Sequence, residues 1–476
     1  MRRLLSSIKL KVLLCLIVQL GEFQGSCAVF EVTTNTDTGV GSFRAAIENA
    51  NQNTGADSIT FLLAPSNRTI LLTTALPAVT EQINLSGSPI NLYSDPATST
   101  SLDRPQHSLV LSNHFGSSIS QLTFAGFPTT AVTLQNCTSC SVSTCYFYGS
   151  PIGPQSAVRL EDCTSCTVGR LRTSSQGNGY SASLYSNYFV TYHNAVTVEG
   201  GSGNQIFGSY FREEPYLPRG LRGIYILNSA NNEIGRGIAG ANSIFYNQIA
   251  GVHISGSASF GNKICGNNIG SVFSGLYARG NEIGVLIDDG AHDNIVGGES
   301  FEAGNLISSN LADGVVITGA STTGNRILSN SIHSNGGRGI NLDAGITTGS
   351  VTNNDLNDAD SGPNGFQNFP VLNAYALGAT NVSGTLNAAA QTSYTVQLFG
   401  TLIDPIGKDA ASYCIGTQSV LSDSSGNANF TFPLARPIAR GQYFSATATD
   451  PQGSTSELSL PAGTPIPVKL SLLAVE

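Results

Sequence analysis

A four-residue apolar signature returns eight times along this 476-residue chain, and it constrains the fold more than any other feature. It reads AVTL at Ala131, AVRL at Ala157, AVTV at Ala195, GIYI at Gly223, GVHI at Gly251, GVLI at Gly284, GVVI at Gly314 and GINL at Gly339. Successive copies start 25 to 38 residues apart. A unit of that length cannot bury its apolar face alone, so it must stack on a neighbour as one turn of a solenoid.

Each unit continues to a second element, usually Asn-x-Ile, as at Asn204/Ile206, Asn232/Ile234, Asn262/Ile264 and Asn325/Ile327, with Asn294-Ile295 as a shortened form. Several add a third, at Asn242/Ile244 and Asn330/Ile332. Helical repeats would show a 3.6-residue period, and these units show none. Short β-branched strands with Gly and Asn corners suit an all-β parallel β-helix, in which each strand pairs with its counterpart one coil away. Side chains alternate along a strand, so Val132, Val158, Val196, Ile224 and Val252 should form one interior column. Matching Asn corners should stack as ladders of side-chain amides.

By the same alternation the third signature residues (Thr133, Arg159, Thr197, Tyr225, His253, Leu286, Val316, Asn341) and the fifth (Gln135, Glu161, Glu199, Leu227, Ser255, Asp288, Thr318, Asp343) should face water. A solenoid also needs its open end covered. Gly41–Asn51 is the best helix in the chain, with Ser42 as N-cap and Phe43, Ala46, Ile47 and Ala50 on one face, and Ile59-Thr60-Phe61 should open the first strand after it.

Only 11% of residues are charged, 40% are hydrophobic and 53 are Gly, the balance of a folded chain with short neutral side chains on its corners. Residues 1–28 have the form of an export signal: Arg2, Arg3, Lys9 and Lys11, then the apolar run 12–20, then small residues around Ser26-Cys27-Ala28. A rival reading makes Cys27 a lipid-modified first residue, although Gln24 suits such a site poorly. The signal carries a net +3 of the chain's −9, leaving −12 on the remainder, which argues against a nucleic-acid partner. No later segment approaches twenty apolar residues, so none is expected to span a membrane as a helix.

Two longer motifs carry a family likeness. VFEVTTNTDTGVGSFRAAIENANQNTGADSITF near the start, and NSIHSNGGRGINLDAG with NDLNDADSGPNGFQNFPVL near residue 360, resemble the bacterial secreted right-handed parallel β-helix proteins of the pectate-lyase-like superfamily. That resemblance implies a right-handed coil and an exported, surface-associated protein, and it supplies no reaction. The expected layout is a signal over 1–28, a capped β-helix over 29–345, an Asp/Asn/Gly-rich linker over 346–370, an immunoglobulin-like β-sandwich over 371–464 and a tail over 465–476. Short alternating segments at 382–386, 394–399, 428–432 and 443–449 mark the sandwich.

Coils stack about 4.8 Å apart, so Glu161 and Glu199 should be neighbours with Arg159 beside them, and Tyr225 and His253 should follow on the same face. A carboxylate pair so placed can hold a cation or serve glycoside hydrolysis, with Arg159 and His253 assisting; the plainer reading is a compensated surface pair. Asp288, near Asp289 and His292, is a weaker ligand candidate, since no second basic motif accompanies it. Tyr185, Tyr188 and Tyr192 lie in an aromatic-rich stretch that suits a glycan platform or inward stacking, and the chain has no Trp.

Cys137-Thr-Ser-Cys140 and Cys163-Thr-Ser-Cys166 have zinc-like spacing, yet they fall at equivalent places in successive coils. Stacking therefore sets Cys137 over Cys163 and Cys140 over Cys166, as disulfides or free stacked thiols, with a metal site as the alternative. Asp355, Asn357, Asp358 and Asp360 alternate oxygen ligands and end in Gly362, like the first half of a calcium loop without its closing Glu; a solvated acidic turn is the alternative.

Together these features point to a secreted or outer-surface β-helix with a structural, adhesive or ligand-binding role toward polysaccharide or a host or matrix surface. Its export would rely on secretion machinery, or on a separate system that carries it as a passenger. The competing expectation is a polysaccharide lyase, epimerase or hydrolase on the face bearing Arg159, Glu161, Glu199, Tyr225 and His253.

Overall fold

In the computed structural model the interior column forms as the alternation requires. Leu109, Val132, Val158, Val196, Ile224, Val252, Val285, Val315 and Ile340 pair in register from coil to coil, all fully buried. A second column runs beside it through Leu111, Leu134, Leu160, Val198, Ile226, Ile254, Ile287 and Ile317. The structure describes residues 26–94, 107–149, 156–171, 186–190, 192–212, 219–272, 277–342, 351–401, 410–460 and 462–463.

These columns line one nine-stranded parallel sheet, from His107–Ser112 to Ile340–Asn341. A nineteen-stranded sheet supplies the other two faces, joined through the long strands Ile83–Ser94 and Ser118–Ala125. The chain is therefore a parallel β-helix. Its third interior column begins with Phe124, Phe147, Phe189 and Phe211, whose stacked rings lie 4.9 to 5.1 Å apart, and continues as Ile244, Ile269, Ile307 and Ile332.

The first signature residue turns inward together with the second, which explains why it is only ever Ala or Gly. A Cβ added to Gly223 would fall 2.5 Å from Ile244 Cγ2, and one on Gly314 would fall 2.7 Å from Ile332 Cγ2. The shortened Asn294-Ile295 unit is in fact full length: Val296, not Ile295, is the buried partner of Ile264.

Asn side chains form three ladders. At the first corner Asn204, Asn232, Asn262, Asn294 and Asn325 are buried, and each carboxamide accepts from the backbone N–H of the preceding member while its NH₂ donates to the next. The same pattern links Asn242, Asn267, Asn305 and Asn330, and again Asn247, Asn281, Asn310 and Asn335. Each buried amide is thus satisfied by copies of itself.

Helix α1 (Phe43–Ala50) covers the first coil, with Ser42 Oγ accepting from Ala45 N at 3.2 Å and Phe43, Ala46, Ile47 and Ala50 buried. The first strand after it is Asp57–Phe61, which contains Ile59-Thr60-Phe61, begins two residues earlier and pairs with Val29–Val32, a strand that precedes the helix.

At the other end stand two antiparallel sheets around their own core, which contains Val396, Leu398, Phe430 and Phe444. One holds Val371–Leu372, Asn381–Asn387 and Asn427–Pro433; the other holds Tyr413–Leu421, Ser393–Thr401, Tyr443–Thr449 and Ala462–Gly463. The second sheet lies against the last coils. Ile332 and Ala411 form an antiparallel bridge, and the Gln397 carboxamide bonds Ser329 at 3.0 and 3.1 Å. Residues 351–370 run between the two parts, and Asn364 extends the first Asn ladder, accepting from Asn325 N at 3.0 Å.

No helix among the described residues is long and apolar enough to cross a membrane.

Candidate functional site

The outer face of the nine-stranded sheet is not open in the way the alternation suggests. Thr133, Thr197, His253, Leu286, Val316 and Asn341 point outward yet are buried, and only Arg159 and Tyr225 in that row are half-exposed. Coils at this spacing leave a short side chain covered by the longer ones above, below and beside it. At the lower coils Ile249 and Ile283 pack with Ala250, Leu286 and Val316 as a small apolar cluster on this face.

At the upper end Glu161 and Glu199 are register partners, as the stacking requires, and Arg159 bonds to both. Gln135 donates to the remaining Glu161 oxygen at 2.6 Å. Arg159 thereby offsets the repulsion of two carboxylates on adjacent rungs. With one Glu161 oxygen held by Arg159 and the other by Gln135, neither stands free to protonate a leaving group.

Two coils on, Tyr225 and His253 are neighbours with ring centroids 5.0 Å apart. Arg222, which no motif marks, ties this group together. Its guanidinium lies 4.6 Å from the centre of the Tyr225 ring, and its Nε donates to His253 Nδ1 at 2.7 Å. His253 Nε2 then donates to Asp288 Oδ2 at 2.9 Å. Burial works to raise the Asp288 pKa, but the hydrogen bond from His253 and the nearby charge of Arg222 outweigh it and hold the group below its usual value. His253 is only 5% exposed and both its ring nitrogens are engaged, so it is placed as a connector rather than as a free base.

The aromatic stretch divides by alternation. Phe147, Phe189 and Phe211 turn inward, while Tyr146, Tyr188 and Tyr210 form an outward row with centroids 5.8 and 5.0 Å apart. Tyr146 is 41% exposed. A row of aromatic rings one per coil, partly exposed, is a surface on which an extended ligand can lie. Tyr192 does not belong to it. It is buried in the core, its hydroxyl has no hydrogen-bond partner among the described residues, and burial pushes its pKa up. Tyr185 lies outside the described residues.

Cys137, Cys140, Cys163 and Cys166 are all buried free thiols. Cys137 contacts Cys163, and Cys140 contacts Cys166, across the two coils. At the turn before the sandwich, Asp355, Asp358 and Asp360 bring one carboxylate oxygen each within 4.8 Å of the others, a grouping a hard cation can occupy. Asn357 stands apart from this group in its bonding: its N–H donates to Asn387 Oδ1, and its Oδ1 lies against the Gly426 turn.

No protein-family model and no curated protein matches the chain. Among solved structures it is similar to the enzymatically active domain of tailspike protein 2 of bacteriophage CBA120, at 13% identity and a TM-score of 0.33 over 89% of this chain and 74% of that one. It is similar to full-length tailspike protein 2 of the Escherichia coli O157:H7 bacteriophage CAB120, at 13% identity and a TM-score of 0.27 over 93% and 65%. A tailspike protein of Acinetobacter baumannii bacteriophage Fri1, described as a capsular polysaccharide depolymerase, matches at 8% identity and a TM-score of 0.22 over 91% and 83%.

Proposed function

We propose that this chain is a glycan-binding β-helix protein that works outside the cell, holding a polysaccharide of a matrix or host surface along its coil axis. The observation that carries the reading is the outward row Tyr146–Tyr188–Tyr210, which repeats coil by coil in the direction an extended sugar chain would follow. The leader-like residues 1–28 support export through secretion machinery. The −12 charge of the chain beyond residues 1–28 (−9 − 3) favours neutral or cationic sugars over polyuronates.

The competing enzymatic reading needs a free acid or base on the nine-stranded sheet. The groups there are engaged with one another: Glu161 with Arg159 and Gln135, His253 with Arg222 and Asp288. That favours binding without turnover.

The test is binding of the full chain to a panel of neutral, amino and uronic-acid polysaccharides by affinity electrophoresis, with product analysis for reducing ends and unsaturated sugars. Tyr188→Ala should weaken binding at least tenfold, about 1.4 kcal/mol, with an unchanged circular dichroism spectrum. Chain cleavage abolished by Glu199→Gln would replace this reading with the enzymatic one, and binding indifferent to Tyr188→Ala would remove the tyrosine row from it.

A further inference from the structure

The first-corner ladder changes chemistry as it climbs. From Asn325 up to Asn204 it is built of carboxamides, but the next two positions are Cys166 and Cys140, and the one above them is Ser117. A parallel column three residues earlier reads His114, Cys137, Cys163, fixed by the bridges Phe115↔Thr138 and Thr138↔Thr164. Thiols are weak hydrogen-bond donors and acceptors, so this substitution gives up the self-satisfying amide pairing used everywhere below.

What replaces it is a cluster of metal-ligating atoms. A ring nitrogen of His114 and the Sγ atoms of Cys137 and Cys140 all lie within 4.8 Å of one another. Cys163 reaches Cys137 and Cys166 reaches Cys140 from the next coil, and Cys163 and Cys166 contact each other, which closes a ring of four sulfurs. His114 Nδ1 is bonded to Ser117 Oγ at 3.0 Å, while Nε2 is buried with no hydrogen-bond partner among the described residues. A metal-bound imidazole commonly has this form, one nitrogen oriented by a neighbour and the other left for the ion.

We propose that His114 Nε2 and the thiolates of Cys137 and Cys140 form a binding site for zinc or a similarly thiophilic divalent ion, with Cys163 and Cys166 donating to the bound sulfurs from the next coil. Two sulfurs and one imidazole are a zinc donor set that leaves a fourth position for water, and the C-x2-C pair delivers both sulfurs from a single turn. Each bound cysteine gives its proton to solvent as its metal–sulfur bond forms, so no oxidant is required. The ion would lock the coils beneath Ile83–Ser94 in place of the amide ladder.

Full-length protein, reduced and freed of metal, should bind one equivalent of Zn²⁺. With Co²⁺ it should show thiolate-to-metal charge-transfer absorption and the bands of a tetrahedral site. Losing a residue that merely orients a ligand costs about 10–100-fold in affinity, so His114→Gln, which removes a ligand itself and spares the buried thiols, should weaken Zn²⁺ binding by more than tenfold. Cys137→Ala should abolish the charge-transfer band. The proposal fails if reduced protein with four alkylatable thiols in the two C-x2-C pairs gives no such band. It fails equally if peptide mapping of protein isolated from its native compartment shows Cys137 linked to Cys163 and Cys140 linked to Cys166.

Discussion

Arg338 and Glu457 are 119 residues apart in the chain and meet at 3.0 Å, 9% and 2% exposed, where the last coil abuts the C-terminal sheets. The same carboxylate accepts from Leu342 N at 3.2 Å and Thr352 N at 2.7 Å, so one side chain closes the end of the coil and receives the segment that leaves it. Removing one partner of a buried pair strands the other's charge. Glu457→Ala should therefore cost about 3–5 kcal/mol in denaturant unfolding, whereas Arg338→Met with Glu457→Leu should recover only part of it, because Leu342 N and Thr352 N still lose their acceptor. A single-variant cost below about 1 kcal/mol would class the pair with solvated surface bridges.

The Asn ladder should be intolerant of apolar replacement. Asn262 accepts from the Asn232 N–H and NH₂ and donates to Ser229 O and Asn294 Oδ1. Leucine at 262 would leave these groups unsatisfied at about 1–3 kcal/mol each. Asn262→Leu should lose more than about 2 kcal/mol, with faster amide exchange at Asn232 and Lys263. Exchange unchanged at both would show that water replaces the ladder without penalty.

At the first signature position, size should decide stability. A Cβ on Gly284 would fall 2.4 Å from Gly314 O and 2.7 Å from Ile307 Cγ2, too close for either to remain in place. Gly284→Ala is expected to cost about 1–3 kcal/mol through overpacking, read as a lower thermal midpoint. An unchanged midpoint would mean that the coils separate freely at this rung.

Two aspartates should pull the pH profile in opposite directions. Burial, aided by the charges of Asp360, Asp355 and Asp450, raises Asp358 from 3.8 to about 7 despite a hydrogen bond from Asn368 N. The native state then holds a proton the unfolded chain has lost, so stability falls as pH rises across that window. Asp288 is held below its usual value, so its contribution is present above pH 3.8 and disappears as pH drops through its native value. Asp358→Asn should flatten the thermal midpoint between about pH 4 and 7, and Asp288→Asn should flatten the acid limb below that. A cation among Asp355, Asp358 and Asp360 would relieve the repulsion, so Ca²⁺ should raise the midpoint of wild type at pH 8 and leave Asp358→Asn unmoved. Equal response in both proteins would place calcium elsewhere.

The coil was legible in advance because one short pattern encodes both its period and its inward face: Val132, Val158 and Val196 announce their shared column without further information. Helix α1 was equally plain, since Ser42 and the Phe43, Ala46, Ile47, Ala50 stripe are local signals. The strand Tyr413–Leu421 went unread because its side chains barely alternate in burial. The site was harder for a related reason. Strand alternation tells which way His253 points but not what covers it, and coverage depends on neighbours one coil away. Arg222 and His114 carry no motif at all; each matters only through partners 31 and 23 positions further on, at His253 and at Cys137. Register, which sequence spacing fixes only loosely when coils vary in length, decides such meetings.

Helix α1 seals one extremity and the antiparallel sheets, fastened through Ile332, Ala411 and Gln397, seal the other. A naked terminal rung would offer its row of amides and carbonyls to a second molecule, and fibre growth would follow. With both extremities stoppered, the middle is free to vary: a whole turn can be gained or lost between them, lengthening or shortening the outward tyrosine row without reopening either stopper.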